Sequence, residues 1–306
     1  MSTSEFDALN RQHALPGKLA FGPGPGGLAV AVVNNSHASA MIALQGAHVM
    51  TWTPHGQQPV IWLSRAAAFA PGKSIRGGVP ICWPWFGPHP SDAKLPGHGF
   101  ARTVPWEVVE SRSLRDDRTV LVLRLAETEA TRKQWPHATP VEVEAHITVG
   151  TTLEMELVTH NNGSAPVTIG DALHTYFEVS DIREVKIHGL GGCPYLDKVD
   201  GGSRKQQQGP VTIGSEVDRV YLDSTADCLI EDPRWRRRIR VSKRGSRSSV
   251  VWNPWTEKAA KMGDFGTRGY LNMVCVESTN AAEDVVNIGP GGEHRLWVRY
   301  AVEPLS

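Results

Sequence analysis

Apolar and polar residues alternate with a period of two over long stretches of the chain. Val141, Val143, Ala145, Ile147 and Val149 are interleaved with Glu142, Glu144, His146 and Thr148. Leu153, Met155 and Leu157 alternate with Glu154 and Glu156. Leu296, Val298, Tyr300 and Val302 alternate with Arg295, Trp297, Arg299 and Ala301. A period of two sends every second side chain to the same face, so each stretch reads as a strand with one buried and one wetter face. Shorter β-rich runs occur at Leu28–Val33, Val120–Leu125, Val167–Gly170, Val185–His188, Ile239–Val241, Val250–Trp252 and Leu271–Val276. Turn formers such as Asn161-Asn162-Gly163 and Gly289-Pro290-Gly291-Gly292 separate the runs. The best helical segment is short, Glu127–Lys133. Many strands, frequent turns and few helices predict an all-β antiparallel sandwich. No composition break marks a linker, so residues 21–306 read as one large domain behind an N-terminal tail, 1–20. Pro88–Gly97 and Gly191–Gly209 read as long loops, the usual place for binding residues on a β scaffold.

Composition narrows the function. With 306 residues, 40% of them hydrophobic, the chain can bury a core. Lys plus Arg and Asp plus Glu both number 32, which argues against a nucleic-acid binder or a protein held on an anionic membrane. No run approaches a membrane span, and the N-terminus lacks the pattern of a signal peptide. The four cysteines, Cys82, Cys193, Cys228 and Cys275, form no close pair, so the expectation is free thiols in a reducing cytoplasm. Gly72-Lys73-Ser74 is half of a phosphate loop without its first glycine. The basic run Arg234–Arg240, continuing through Lys243, Arg244 and Arg247, reads as an exposed hairpin with a charged solvent face. With 12 histidines and no closely spaced Cys/His set, a zinc site is not expected.

Four segments carry candidate chemistry. Ser74–Pro88 (SIRGGVPICWPWFGP) sets Trp83, Trp85 and Phe86 near Arg76; aromatic rings stack on a pyranose and a guanidinium grips an anion. Leu95–Arg102 (LPGHGFAR) holds His98 and Arg102 at a loop end. Gly170–Phe177 (GDALHTYF) places His174 in an apolar stretch, where a structural histidine is the plainer reading. Leu271–Ser278 (LNMVCVES) ends an apolar strand with Glu277, a carboxyl that needs a partner or a task when buried.

Together these segments resemble the hexose-6-phosphate mutarotases of the aldose 1-epimerase superfamily, over nearly the whole chain beyond its first twenty or so residues. The resemblance implies a galactose mutarotase-like β-supersandwich with neither metal nor organic cofactor. It implies interconversion of the α and β anomers of a hexose 6-phosphate, glucose 6-phosphate foremost. His174 and Glu277 fall on the family's catalytic acid and base, set on opposite sides of the C1–O5 unit. Arg76 and Arg102 fall on its phosphate-binding arginines, Asp218 on a binding Asp, and His98 on a further polar contact. Gly97 stands where some members carry a Gln that touches substrate. The expected partner is a small sugar phosphate, and the expected state a cytoplasmic monomer. Two rival readings are an aldose 1-epimerase acting on free hexoses and a non-catalytic carbohydrate-binding sandwich, to which the ten tryptophans would be suited.

Overall fold

The computed structural model describes residues 1–135 and 140–305. Among these, nine strands form one antiparallel sheet. Their spatial order is Val211–Thr212, Lys186–His188, Cys228–Asp232, Arg237–Arg244, Glu293–Pro304, Thr152–Asn161, Val141–Val149, Thr119–Leu125 and Trp106–Ser113. Eight strands form a second antiparallel sheet, running Ser203–Gln206, Pro194–Asp197, Val217–Tyr221, Ser248–Asn253, Met273–Thr279, Ala172–Leu173 and Ile81–Cys82, with Tyr176–Glu178 also paired to Met273–Thr279. A four-stranded sheet of residues 19–54 completes the N-terminal side.

The alternating stretches become the long central strands of the nine-stranded sheet. Ile147, Leu157, Leu296, Val298 and Tyr300 point into the core that this sheet shares with the other. Across that core the Tyr300 ring meets Phe177 edge-on at 5.0 Å, and its hydroxyl lies 2.5 Å from Thr175 Oγ1. The eight-stranded sheet is buried on both faces. Val274, Val276, Val251 and Phe177 face the sandwich core, whereas Met273, Cys275, Trp252, Val220 and Tyr176 face a second apolar cluster on the outside. Strands buried on both sides lose the alternation signal, so Met273–Thr279 reads as a continuous apolar run.

Three expectations change. The N-terminal tail carries a helix, Thr3–His13, whose Ser2 and Glu5 form a capping box. Phe6 and His13 are buried beneath it, and Asn10 bonds both the N–H and the C=O of Phe21. Gly191–Gly209 is not a bare loop. It contains the hairpin Pro194–Asp197 and Ser203–Gln206, joined through a 3₁₀ turn at Lys198–Asp200. The basic run is an interior strand, Arg237–Arg244, paired on both edges. Its outward Arg240 meets Glu303 and Asp227, while Arg237 is buried and donates to the carbonyls of Gln58, Pro59 and Glu178. The predicted short helix lies at Glu129–Gln134. All four cysteines are free.

Candidate active site

The outer face of the eight-stranded sheet opens into a cleft of about 530 Å³. Strand pairing brings its floor together. Val217–Tyr221 supplies Asp218, Ser248–Asn253 supplies Trp252, and Met273–Thr279 supplies Glu277. His174 and Tyr176 come from the adjoining segment, where the pairing of Ala172–Leu173 gives way to that of Tyr176–Glu178. The six residues matched to family roles all line this cleft: Arg76, His98, Arg102, His174, Asp218 and Glu277.

The imidazole and the carboxyl touch. His174 Nε2 lies 3.4 Å from Glu277 Oε1, with side-chain exposures of 12% and 1%. They sit side by side on one wall of the cleft. The spacing suits the chemistry, because two oxygens on a single tetrahedral carbon can face both groups at once. The His174 ring stacks on Tyr176 at 5.1 Å, lies edge-on to His98 at 5.7 Å, and its backbone N–H donates to Pro80. These contacts fix the ring plane.

Burial dominates the electrostatics. It pushes the Glu277 carboxyl well above its usual range, with added repulsion from Asp218 and opposition from Arg102. It holds the His174 imidazole well below its usual value, helped by His98, Arg102 and Arg76. Burial therefore favours a neutral imidazole beside a protonated carboxyl. An ion pair of imidazolium and carboxylate holds the same number of protons, moved by one transfer within the pair. Glu277 Oε2 is buried without a hydrogen-bond partner, a lone pair left for a ligand.

The cations are held from behind. Arg76 donates from Nε to Asp264 Oδ1 at 3.1 Å and from Nη1 to the Tyr176 hydroxyl at 3.0 Å. Arg102 donates from Nη2 to the carbonyl of Gly97 at 2.9 Å, so the residue that lacks the family glutamine steadies an arginine through its backbone. His98 Nδ1 accepts from the Gly87 N–H at 3.3 Å, which assigns its proton to Nε2. Burial and then Arg102 lower its pKa to about 3, so His98 is a neutral donor. Asp218 is raised by burial and opposed by Lys258, whose Nζ lies 3.9 Å from it and 2.7 Å from Glu216.

Sequence reasoning misjudged the aromatics. Trp83 and Trp85 are core residues whose indole N–H groups donate to Thr159 and Pro96, and only Phe86 of the three lines the cleft. Trp252, Tyr176, Lys198 and Lys258 were missed. Tyr176 had a usable signal, since it stands two residues from His174. Trp252 sits opposite Cys275 by register, which a single sequence does not reveal.

The fold and the cleft define a galactose mutarotase-like β-sandwich carrying a buried histidine–glutamate pair. A solved Salmonella typhimurium protein provisionally called a mutarotase superimposes with a TM-score of 0.88 at 37% identity, covering 95% of this chain and 96% of that one. A galactose mutarotase-like protein of Lactobacillus casei shares the fold at a TM-score of 0.69 and 15% identity. The sequence profile of the aldose 1-epimerase family matches residues 29–301. A protein of Escherichia coli K12 provisionally named glucose-6-phosphate 1-epimerase is 41% identical over 253 residues, 82% of this chain and 83% of its own length. A plant relative from Cenchrus ciliaris with the same provisional name is 36% identical over 294 residues, 92% of this chain and 87% of its own. The chain belongs to the aldose 1-epimerase family, a family of enzymes.

Proposed function

We propose that the protein interconverts the α and β anomers of a hexose 6-phosphate, the substrate class in the names its relatives carry. The observation that carries this reading is the 3.4 Å contact of His174 with Glu277 in a cleft that also holds Arg76 and Arg102. A carbohydrate-binding module has no use for a dry imidazole–carboxyl pair.

Anomerisation needs one proton removed from the C1 hydroxyl and one delivered to the ring oxygen. Glu277 as carboxylate takes the O1 proton, and His174 as imidazolium protonates O5. Ring opening leaves an aldehyde at C1. Rotation about C1–C2 presents its other face, and the two groups exchange roles on closure. C1 stays at the same oxidation level, the C1–O5 bond pair going to O5 as an O1 pair forms the carbonyl, so a shared proton inventory suffices. A phosphate dianion between Arg76 and Arg102 would neutralise the cations that depress His174, making the imidazole more basic just when it must carry a proton. Anchoring the unreactive end holds C1 at the pair and retains the opened aldehyde. Trp252 and Phe86 offer apolar faces to the sugar, and His98 a neutral N–H.

Polarimetry or NMR exchange on freshly dissolved α-glucose 6-phosphate tests this. The wild type accelerates equilibration, and His174→Ala and Glu277→Ala each remove most of the acceleration. A full rate in either variant, or equal acceleration of glucose and glucose 6-phosphate, would overturn the reading.

A further inference from the structure

Below the cleft floor lies a buried polar atom that the mechanism does not use, the Cys275 thiol. Cys275 and Glu277 are two residues apart on the strand Met273–Thr279, so they project to the same face. His174 enters from the neighbouring antiparallel segment. Two ligands at this spacing on one strand, plus a third from its neighbour, make a three-point set on a rigid sheet. Among the described residues, the donor atoms of His174, Cys275 and Glu277 all lie within 4.8 Å of one another. Ligand atoms at about 2.0–2.3 Å from a tetrahedral zinc ion stand roughly 3.3–3.7 Å apart. The nitrogen and carboxyl oxygen already meet that spacing at 3.4 Å, and the sulfur needs a shift of about 1 Å or less. Independently, Glu277 Oε2 is fully buried with no partner.

We propose that the cleft floor binds a thiophilic divalent cation of the zinc class through His174 Nε2, Cys275 Sγ and a Glu277 oxygen, with the fourth position open to the cleft. Binding releases one proton from the thiol and one from the imidazole–carboxyl pair. What remains is thiolate, carboxylate and neutral imidazole, the forms zinc takes, whose two negative charges match the dication. Arg76 and Arg102 face the same floor and disfavour a cation, the neutral His98 does not, and Asp218 favours one. The ion is no cofactor: it occupies both groups assigned to proton transfer and so inhibits the enzyme. Only this inhibitory consequence rests on the proposed function.

Cobalt(II) reports the site directly. Titration of the full chain with Co²⁺ should give one equivalent with a sulfur-to-cobalt charge-transfer band in the near ultraviolet, and Zn²⁺ should displace it. Cys275→Ser should abolish the band and weaken binding roughly tenfold or more, while circular dichroism shows the fold retained. Cys193→Ser, which alters the half-exposed thiol, should leave the band in place. In metal-buffered anomerisation assays, Zn²⁺ should inhibit the wild type in competition with glucose 6-phosphate and inhibit Cys275→Ala roughly tenfold less, at whatever turnover that variant retains. No band at stoichiometric cobalt, or a band that survives Cys275→Ser, overturns the proposal. A Cys275-dependent band in a protein without anomerase activity overturns the proposed function and leaves the metal site standing.

Discussion

Asp171 offers a test of the electrostatics that needs no substrate. It stands three residues before His174, on the edge of the strand that pairs with the one bearing Glu277. Its side chain is fully buried, and neither carboxyl oxygen has a hydrogen-bond partner. The nearest base, His294, keeps its Nε2 3.8 Å away and on Asn280 Oδ1. Burial, then Asp284, raises the Asp171 pKa from 3.8 to about 8. The sign follows. The folded chain binds this proton more tightly than the unfolded one, so stability is full below the unfolded value and is lost as pH rises toward the folded one. At about 1.4 kcal/mol per pKa unit, wild-type stability should fall by roughly 3–4 kcal/mol between about pH 5 and pH 8 from this group alone. Asp171→Asn keeps the shape and cannot ionise. Its stability advantage over wild type should therefore widen by that amount across the interval, whatever fixed offset the amide introduces. Urea unfolding followed by tryptophan fluorescence at a series of pH values measures it. A wild-type-minus-variant difference that stays constant with pH would refute the dry, unpartnered state of this carboxyl.

Other outcomes follow from the same contacts. His174→Ala or Glu277→Ala should each cost about 10²–10⁴ in kcat, and the double variant should be scarcely slower than the worse single one, as read by NMR exchange, because the two act as a unit. Arg102→Ala should raise KM for glucose 6-phosphate about 10–100-fold, the worth of one charge-assisted hydrogen bond, with little change in any rate on glucose; equal effects on both sugars would remove the phosphate role. Gly77 has φ of +104°, and an added Cβ would stand 2.6 Å from the Trp62 carbonyl. Gly77→Ala should lower unfolding free energy by about 2–4 kcal/mol, and a neutral result would contradict the close approach of these backbones.

The sequence made the nine-stranded sheet legible because its strands have one wet face. Val141–Val149 was readable to the residue, since each Glu marks the outside. The eight-stranded sheet gave no such marker. In Met273–Thr279 every position is buried, so periodicity could not say that Val274 and Val276 hold the sandwich together while Cys275 joins the outer cluster and Glu277 lines a cleft. The site residues were found through their local motifs instead. That route reaches Arg76, His98, Arg102, His174 and Glu277, each inside a distinctive segment. It fails for Asp264 and Lys258, whose importance lies in the partners they meet far along the chain. It also misled on Trp83 and Trp85, because an aromatic beside an arginine in sequence need not share its surface. The helix at Thr3–His13 was missed for a different reason. Only Phe6 and His13 of it are buried, too few for a helical period, although the Ser2–Glu5 cap was there to be read.

The two faces of the eight-stranded sheet explain why the His174–Glu277 pair can be so dry on a surface cleft. A site at the rim of a sandwich would inherit solvent from the loops. Here the proposed acid and base stand over a strand already packed on its far side by the core, with Tyr176 stacked on His174, Trp252 edge-on to it and Lys198 lining the cleft. The architecture buries the pair before the sugar arrives, which favours its neutral form. Charge separation within the pair then depends on what enters. A phosphate that quenches Arg76 and Arg102 lifts His174, whereas an uncharged hexose leaves both guanidiniums in place to hold the imidazole down. On the proposed assignment, selectivity for a phosphorylated substrate would arise twice from the same two residues, once in binding and once in the readiness of the acid.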